Sequence, residues 1–230
     1  MDAYERIRKY QSGELLPART GYAYLDKALL GGFYPQHAVA IGARPGVGKS
    51  YLAQKIMSNV MNVNINPQAD DYVWLRCEFE MNPEDLMLRS LSKKMNKDIE
   101  DILLRKMNEE EMLEMQKCLK QENSNRITYI PIPTTVDELK DFLWNVYMPA
   151  NKDKKIVFVS IDHTALIQGS GDAKRNIDSL MNMCNIAKRT FQNIFFLIVS
   201  QLNREIEGRR DPKDHMPRQS DFYQSDSLGQ

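Results

Sequence analysis

Three cysteines in 230 residues, Cys77, Cys118 and Cys184, are few, odd in number and far apart. This argues against a disulfide framework or a zinc site and leaves each thiol as a reduced, small core or boundary residue. Net charge is missing too. The 31 lysines and arginines face 31 aspartates and glutamates, so no global electrostatic footprint for nucleic acid exists and any such contact must be local. No run is apolar for long enough to span a bilayer, the opening Met1-Asp2-Ala3-Tyr4-Glu5 is no signal peptide, and no internal repeat or low-complexity segment appears. With 42% hydrophobic and 27% charged residues, the length suits one α/β domain with a sizeable core, expected in the cytoplasm and without a membrane partner.

What the chain does have is alternation. Apolar runs at 38–41, 72–79, 127–130, 156–161 and 195–199 read as strands, and helical patterns lie between them, which predicts a mainly parallel sheet covered by helices. Asn82-Pro83-Glu84-Asp85 supplies an N-cap, a proline at the first helical position and an acidic first turn, followed by Leu86, Leu88 and Leu91. A second helix is expected from Asn108, with Glu111 three residues on and Met112, Met115 and Leu119 along its packed face. A third opens with the capping box Thr135 and Glu138 and carries Val136, Leu139, Phe142, Leu143, Val146 and Tyr147. These three are expected to cover the sheet. The last helix, 172–189, has Ile177, Leu180, Met181, Cys184 and Ala187 as its buried stripe.

Residues 43–50 read Ala-Arg-Pro-Gly-Val-Gly-Lys-Ser, between the first strand and a helix that begins at Lys49. Gly46 and Gly48 permit the backbone to turn its N–H groups around phosphate oxygens, and the helix directs its positive N-terminal end at the same anion. In such a loop Lys49 reaches the β- and γ-phosphates and Ser50 ligates Mg²⁺. The candidate nucleotide contacts are Arg44, Pro45, Gly46, Val47, Gly48, Lys49, Ser50 and Tyr51, and the expected cofactors are ATP and Mg²⁺.

Ligands of open α/β sheets bind beyond the carboxyl ends of the strands. The run 156–161 is followed by Asp162, a carboxylate suited to the water shell of a metal beside Ser50. His163, next in the chain, has no assigned metal role. The run 72–79 carries Glu78 and then Glu80; either would suit activation of the water that attacks the γ-phosphate. They are two apart and share a face of an extended strand, so parity does not choose between them. The last run leads into Gln201, an amide able to sense the γ-phosphate by hydrogen bonding.

In chain order, the octet at 43–50 with alanine first, Glu80-Met81, Ile161-Asp162 followed by Leu166-Ile167, and Ser200-Gln201-Leu202-Asn203-Arg204 resemble the RecA-like motor domain of DnaB-type replicative helicases. Thr20-Gly21-Tyr22, Leu25-Asp26 and Gly31-Gly32 are similar to the segment leading into that family's first strand, and Ser220-Asp221 to the start of its final motif. The likeness covers about residues 20–230, with 1–19 as a linker or docking segment. It implies a RecA-like P-loop NTPase of three-layer α/β/α architecture, working as a hexameric ring that couples ATP hydrolysis to translocation on single-stranded DNA and duplex unwinding. It also implies a primase or helicase loader as partner. Carried over residue by residue, the likeness makes Glu80, Lys49 and Gln201 catalytic and assigns Mg²⁺ to Ser50 and Asp162. The Glu-Met register favours Glu80 over Glu78. In the family a helix ahead of the motor docks on the neighbouring subunit, and Tyr4, Ile7 and Tyr10, three apart, suit one face of such a helix.

Two features depart from the family pattern. After Ser220-Asp221 the family continues with an arginine-bearing stretch that grips DNA, whereas this chain has Tyr223-Gln224-Ser225-Asp226. The preceding loop sets Arg204, Arg209, Arg210, Lys213 and Arg218 against four acidic residues, one net positive charge; these five and Tyr223 are the candidate DNA contacts. The family also continues past the equivalent of Gln230 with an arginine finger, so the chain is expected to be a piece of a longer protein and a weak hydrolase by itself. Two other readings fit the same residues: a RecA- or KaiC-like ATPase of recombination or signalling, and a nucleotide-gated interaction module without enzymatic activity.

Overall fold

The five apolar runs form one sheet in a computed structural model that describes residues 3–79, 83–122, 126–130, 134–162, 164, 167, 172–202 and 221. The strands are β1 (Ala38–Ala43), β2 (Tyr72–Glu78), β3 (Ile127–Ile130), β4 (Ile156–Asp162) and β5 (Ile194–Gln201). All pairings are parallel, in the order β1-β5-β4-β2-β3. Burial follows position. β2 and β4 are buried at every residue and β5 at all but its last, as interior strands covered on both faces must be, while the edge strands β1 and β3 are half-buried.

Parallel neighbours need crossovers, and crossovers are right-handed. The steps β1 to β2 and β2 to β3 run one way along the sheet; β3 to β4 and β4 to β5 run back. The connections therefore divide between two faces. On one face α3 (Lys49–Val60) places Ala53, Ile56, Met57 and Val60 against Trp74, Phe158, Leu197 and Val199. Ala18 and Phe33, joined by an isolated antiparallel bridge, extend this cluster, and Phe33 stacks on Phe195 at 4.3 Å between ring centroids. On the other face α7 (Val136–Phe142), a π-helical turn (Leu143–Tyr147), α8 (Met148–Ala150) and α9 (Ala173–Thr190) cover Val73, Leu75, Val157, Val159, Phe196 and Ile198. The result is the expected three-layer α/β/α fold.

Two of the expected caps form where their residues predicted them; the third, Asn82, lies outside the described residues. Thr135 and Glu138 make the reciprocal capping box of α7, and Asn108 and Glu111 make the same exchange at the start of α6 (Glu109–Glu122), at 2.9 and 3.0 Å. Asp172 caps α9 through a bond from the Arg175 N–H. The stripe Ile177, Leu180, Met181, Cys184 and Ala187 is buried, joined by Met183.

Three expectations change. The helices between β2 and β3, namely α4 (Pro83–Met95), α5 (Ile99–Leu104) and α6, do not lie flat on the sheet. They pack on one another around Leu91, Met95 and Cys118. A helix packed on one other helix buries a narrow stripe, so Met115 and Leu119 turn inward while Met112 is exposed. The π-helical turn has more residues per turn than an α-helix, which rotates Tyr147 and Met148 into the core and leaves Val146 exposed. Two short helices also form where no helical pattern was expected, α2 (Ala23–Ala28) and α5.

All three cysteines are free and buried, and burial pushes the Cys184 thiol up to about 12 and Cys77 higher still. Among the described residues no helix is long and apolar enough to cross a membrane. α1 (Ala3–Gln11) is formed; Tyr4 and Ile7 are exposed, and Tyr10 packs edge-on against Tyr34 at 5.1 Å.

The π-helical turn makes a sharp contrast between two residues of the same sequence stripe. Leu143→Ala should cost about 2–5 kcal/mol in urea unfolding, as a cavity in a packed core does, whereas Val146→Ala should cost less than about 0.5 kcal/mol. The Cys77 and Cys184 thiols stay protonated in the fold but ionise near pH 8.5 in the unfolded chain. Stability should therefore be unaffected by them below about pH 8 and fall as pH rises above about 8.5, a loss that Cys77→Ala with Cys184→Ala removes.

Candidate nucleotide site

Because every strand is parallel, the carboxyl ends of β1, β2, β4 and β5 share one edge of the sheet, and the residues singled out at those ends converge there. β1 stops at Ala43. Gly46 (φ 80°) and Gly48 (φ 91°) both occupy the left-handed region, and a Cβ built at either position meets nothing within 4 Å. Glycine is thus required by backbone conformation and not by crowding. Pro45, Val47 and Tyr51 are exposed and Arg44 is half-buried, while Lys49 is buried at the first position of α3 with Ser50 half-buried beside it.

The start of α3 is electrostatically incomplete. Gly48 caps it without a side-chain hydrogen bond and its first turn has no acidic residue. The first N–H groups of a helix have no partner within it, so this positive end suits an external anion. α7 and α9 differ, since Thr135 and Asp172 cap them from within the chain. The loop thus fits a phosphate group by conformation and charge.

β5 lies between β1 and β4, with Gln201 level with Ala43 and Asp162 level with Val199. The Leu202 N–H donates to the Ala43 carbonyl at 3.1 Å, tying the chain just after Gln201 to the root of the loop. Asp162 is buried at the end of β4, level with Glu78 of β2, and the Phe79 N–H donates to its carbonyl at 3.0 Å. Lys49, Ser50, Asp162 and Gln201 are therefore carried to one edge by three neighbouring strands. Glu80, His163, Arg204, Arg209, Arg210, Lys213, Arg218 and Tyr223 lie outside the described residues.

Glu78 is already engaged. Its Oε1 accepts a 2.6 Å hydrogen bond from Nε of Arg76, and both side chains are buried. The guanidinium also lies over the Trp74 and Tyr129 rings, at 5.1 and 5.6 Å from their centroids. Arg76 supplies the positive charge that offsets Glu78 at the end of β2. A carboxylate oxygen held by a guanidinium has that lone pair committed.

Arg76 was not among the residues singled out from the sequence, although an arginine in an otherwise apolar strand, two before a glutamate on the same face, is a visible signal. Two buried hydroxyl contacts were likewise not foreseen. Trp74 Nε1 donates to Ser160 Oγ at 2.8 Å, and Thr164 Oγ1 donates to Ser200 Oγ at 3.2 Å, joining the stretch after β4 to the end of β5 beside Gln201.

The family description "DnaB-like helicase C terminal domain" matches residues 18–230, nearly the whole chain. The chain belongs to the DnaB-like helicase C-terminal domain family. Among curated relatives, the replicative DNA helicase DnaC of Bacillus subtilis is 25% identical over 237 residues, covering 100% of this chain and 49% of the relative. The chain thus spans about half the length of the curated relatives it matches. Among solved structures, one ATPase domain superposes with a TM-score of 0.77 at 21% identity, covering 98% of this chain and 76% of that one. A DnaB-like replicative helicase, solved in a study of its interactions with primase, gives 0.76 at 19% identity, covering 98% and 52%. Both share the RecA-like fold of this DnaB-like domain.

Removing the charge from Glu78 leaves Arg76 buried and undercompensated. Glu78→Gln should lower unfolding stability by roughly 3 kcal/mol while nucleotide affinity changes little. Circular dichroism in urea and fluorescent-nucleotide titration read the two effects separately; lost hydrolysis at unchanged stability would instead make Glu78 the base.

Proposed function

We propose that this chain is the ATP-hydrolysing motor of a replicative DNA helicase, coupling hydrolysis to translocation on single-stranded DNA and unwinding of the duplex. The observation that carries the reading is the shared edge: an uncapped helix behind a glycine loop, with Asp162 and Gln201 delivered beside it by adjacent parallel strands. Membership of the DnaB-like family supports the same reading.

In this mechanism the loop N–H groups and Lys49 hold the triphosphate and stabilise charge as it builds on the leaving oxygens. Arg44, Pro45, Val47 and Tyr51 complete the nucleotide contacts around Gly46 and Gly48. Ser50 and Asp162 would hold Mg²⁺, which would supply positive charge to offset that of the phosphates. Glu80, two residues beyond β2, orients the attacking water and takes its proton. Gln201 bonds the γ-phosphate and changes partner when that phosphate leaves. The chain continues from Gln201 directly into the stretch bearing Arg204, Arg209, Arg210, Lys213, Arg218 and Tyr223, so nucleotide state can be passed to DNA contacts there.

The reading includes a hexameric ring, an arginine finger at a neighbour's phosphates and a primase or loader as partner, in the cytoplasm. α1 supports the ring, since its Tyr4 and Ile7 face is exposed and suits docking on an adjacent copy. The primase partner is supported by the similar helicase structure that concerns interactions with primase. Three free, buried thiols fit a reducing compartment.

The deciding measurement is steady-state ATP hydrolysis with and without single-stranded DNA. Glu80→Gln should reduce the DNA-stimulated rate by at least about a hundredfold while ATP binding survives, and Lys49→Ala should lose binding as well. Hydrolysis unchanged in Glu80→Gln would overturn the assignment of the base, and absence of turnover in rings of the full-length protein would favour a nucleotide-gated module.

A further inference from the structure

The segment carrying Thr20-Gly21 and Asp26 has no part in the nucleotide site, yet a continuous set of hydrogen bonds holds it. Thr20 donates from both its N–H and its hydroxyl to Asp26 Oδ1, each at 2.7 Å. Asn59 Nδ2, near the end of α3, donates to the Thr20 carbonyl at 2.9 Å. A Cβ at position 21 would lie 2.5 Å from that same Nδ2, so Gly21 is what lets the segment and α3 come this close.

Two further amides continue the contact towards α1. Asn66 is buried and engages both backbone groups of Arg19: its Oδ1 accepts from the N–H at 2.7 Å and its Nδ2 donates to the carbonyl at 3.0 Å. The same Nδ2 lies 3.2 and 3.1 Å from the carbonyls of Asn59 and Val60, where α3 runs out of donors of its own. Gln68 holds the turn that follows α1. Its Oε1 accepts from the Leu16 N–H at 3.3 Å, and its Nε2 donates to the carbonyls of Gly13 and Glu14 at 3.3 and 3.2 Å. Side-chain amides, each both donor and acceptor, thus stand where a paired strand would, and tie residues 13–20 to the end of α3 and the loop after it.

The geometry points to a clamp, made by Asn59, Asn66 and Gln68, that sets the direction of α1 relative to α3. The helix that carries Lys49 and Ser50 in its first turn therefore also carries the root of α1 at its last. Tyr10 packs on Tyr34 close to that root, while Tyr4 and Ile7 further out stay exposed. A helix of nine residues is about 13 Å long, so a swing of about 20° at its root carries Tyr4 by about 4 Å, out of reach of a side-chain contact on another molecule. A fixed root removes that freedom before docking, which strengthens association without adding contact area. The use of the clamp in assembly rests on the hexameric ring proposed for this chain; its hold on α1 does not.

The test places spin labels at Arg8→Cys on α1 and Ser58→Cys on α3, both exposed positions of the full chain, where the three buried native thiols do not compete for the label. With labelled chain diluted in unlabelled, double electron–electron resonance reads the distance within one copy. A narrow distribution is expected, widened roughly twofold by Gln68→Ala and further when Asn59→Ala is added. Asn62→Ala is the control, since its Oδ1 accepts from the Asn64 N–H within its own loop, and it should leave the distribution unchanged. Thermal melting followed by circular dichroism separates a loosened root from an unfolded chain. Sedimentation equilibrium of the unlabelled chain should show association weakened roughly tenfold by Gln68→Ala and lost in Tyr4→Ser with Ile7→Ser. A distribution that Gln68→Ala leaves narrow, or that Asn62→Ala widens equally, would overturn the clamp, and a widened distribution with unchanged association would overturn its role in assembly. Association that is absent, or that survives Tyr4→Ser with Ile7→Ser, counts against docking by α1 and not against the clamp, which the distance distribution decides by itself.

Discussion

Parallel pairing of all five strands is the constraint from which the rest of the molecule follows. A parallel strand cannot be reached by a tight turn, so each connection must cross a face of the sheet, and handedness decides which face. The same constraint sends every carboxyl end to one edge. A glycine loop 43–50, a buried Asp162 and a Gln201 that are far apart in the chain become neighbours because β5 is inserted between β1 and β4. Site assembly is then a consequence of strand order, and the side chains add only their chemistry.

Polar groups gathered at such an edge are costly to bury unless each is answered. Arg76 answers Glu78 and is itself sandwiched by aromatic faces, Trp74 answers Ser160, and Thr164 answers Ser200. The last two run between the strands that carry Glu78, Asp162 and Gln201. They fix the relative height of those strand ends more tightly than apolar packing would, since a hydrogen bond between buried groups tolerates little displacement. The start of α3 is the exception, for there the answering anion comes from outside the chain.

Much of this was legible in the residues. Strands with buried interiors on both faces are continuous apolar runs, and Ile156 to Asp162 is unmistakable; caps announce themselves because Thr135 with Glu138 and Asn108 with Glu111 satisfy backbone groups locally. What stayed hidden depends on partners distant in the chain. Helical periodicity tells how wide an apolar face is but not what covers it, so α4 and α6 read as sheet-covering when they cover each other. A π-helical turn has no strong residue signature, and it turned Val146 out of its stripe. Parity leaves Glu78 and Glu80 equivalent, and the contact by which Arg76 holds Glu78 is invisible without the side chains in place.

The misread helices and a cavity of about 530 Å³ between α3, α4 and the face of β2 and β3 are one fact seen twice. Had α4 lain flat on β2 and β3, its apolar face would have filled the gap above Trp74 and Ile127. By packing instead on α5 and α6 it presents Lys93 and Lys94 to the gap that Lys55 of α3 also lines. The two arginines of the gap are answered from its edges, Arg76 by Glu78 and Arg126 by Asp70 at 3.9 Å. The gap lies next to the nucleotide loop, and Lys93 rests on the Tyr51 ring, so the packing of α4 on its neighbours also sets what borders the first turn of α3.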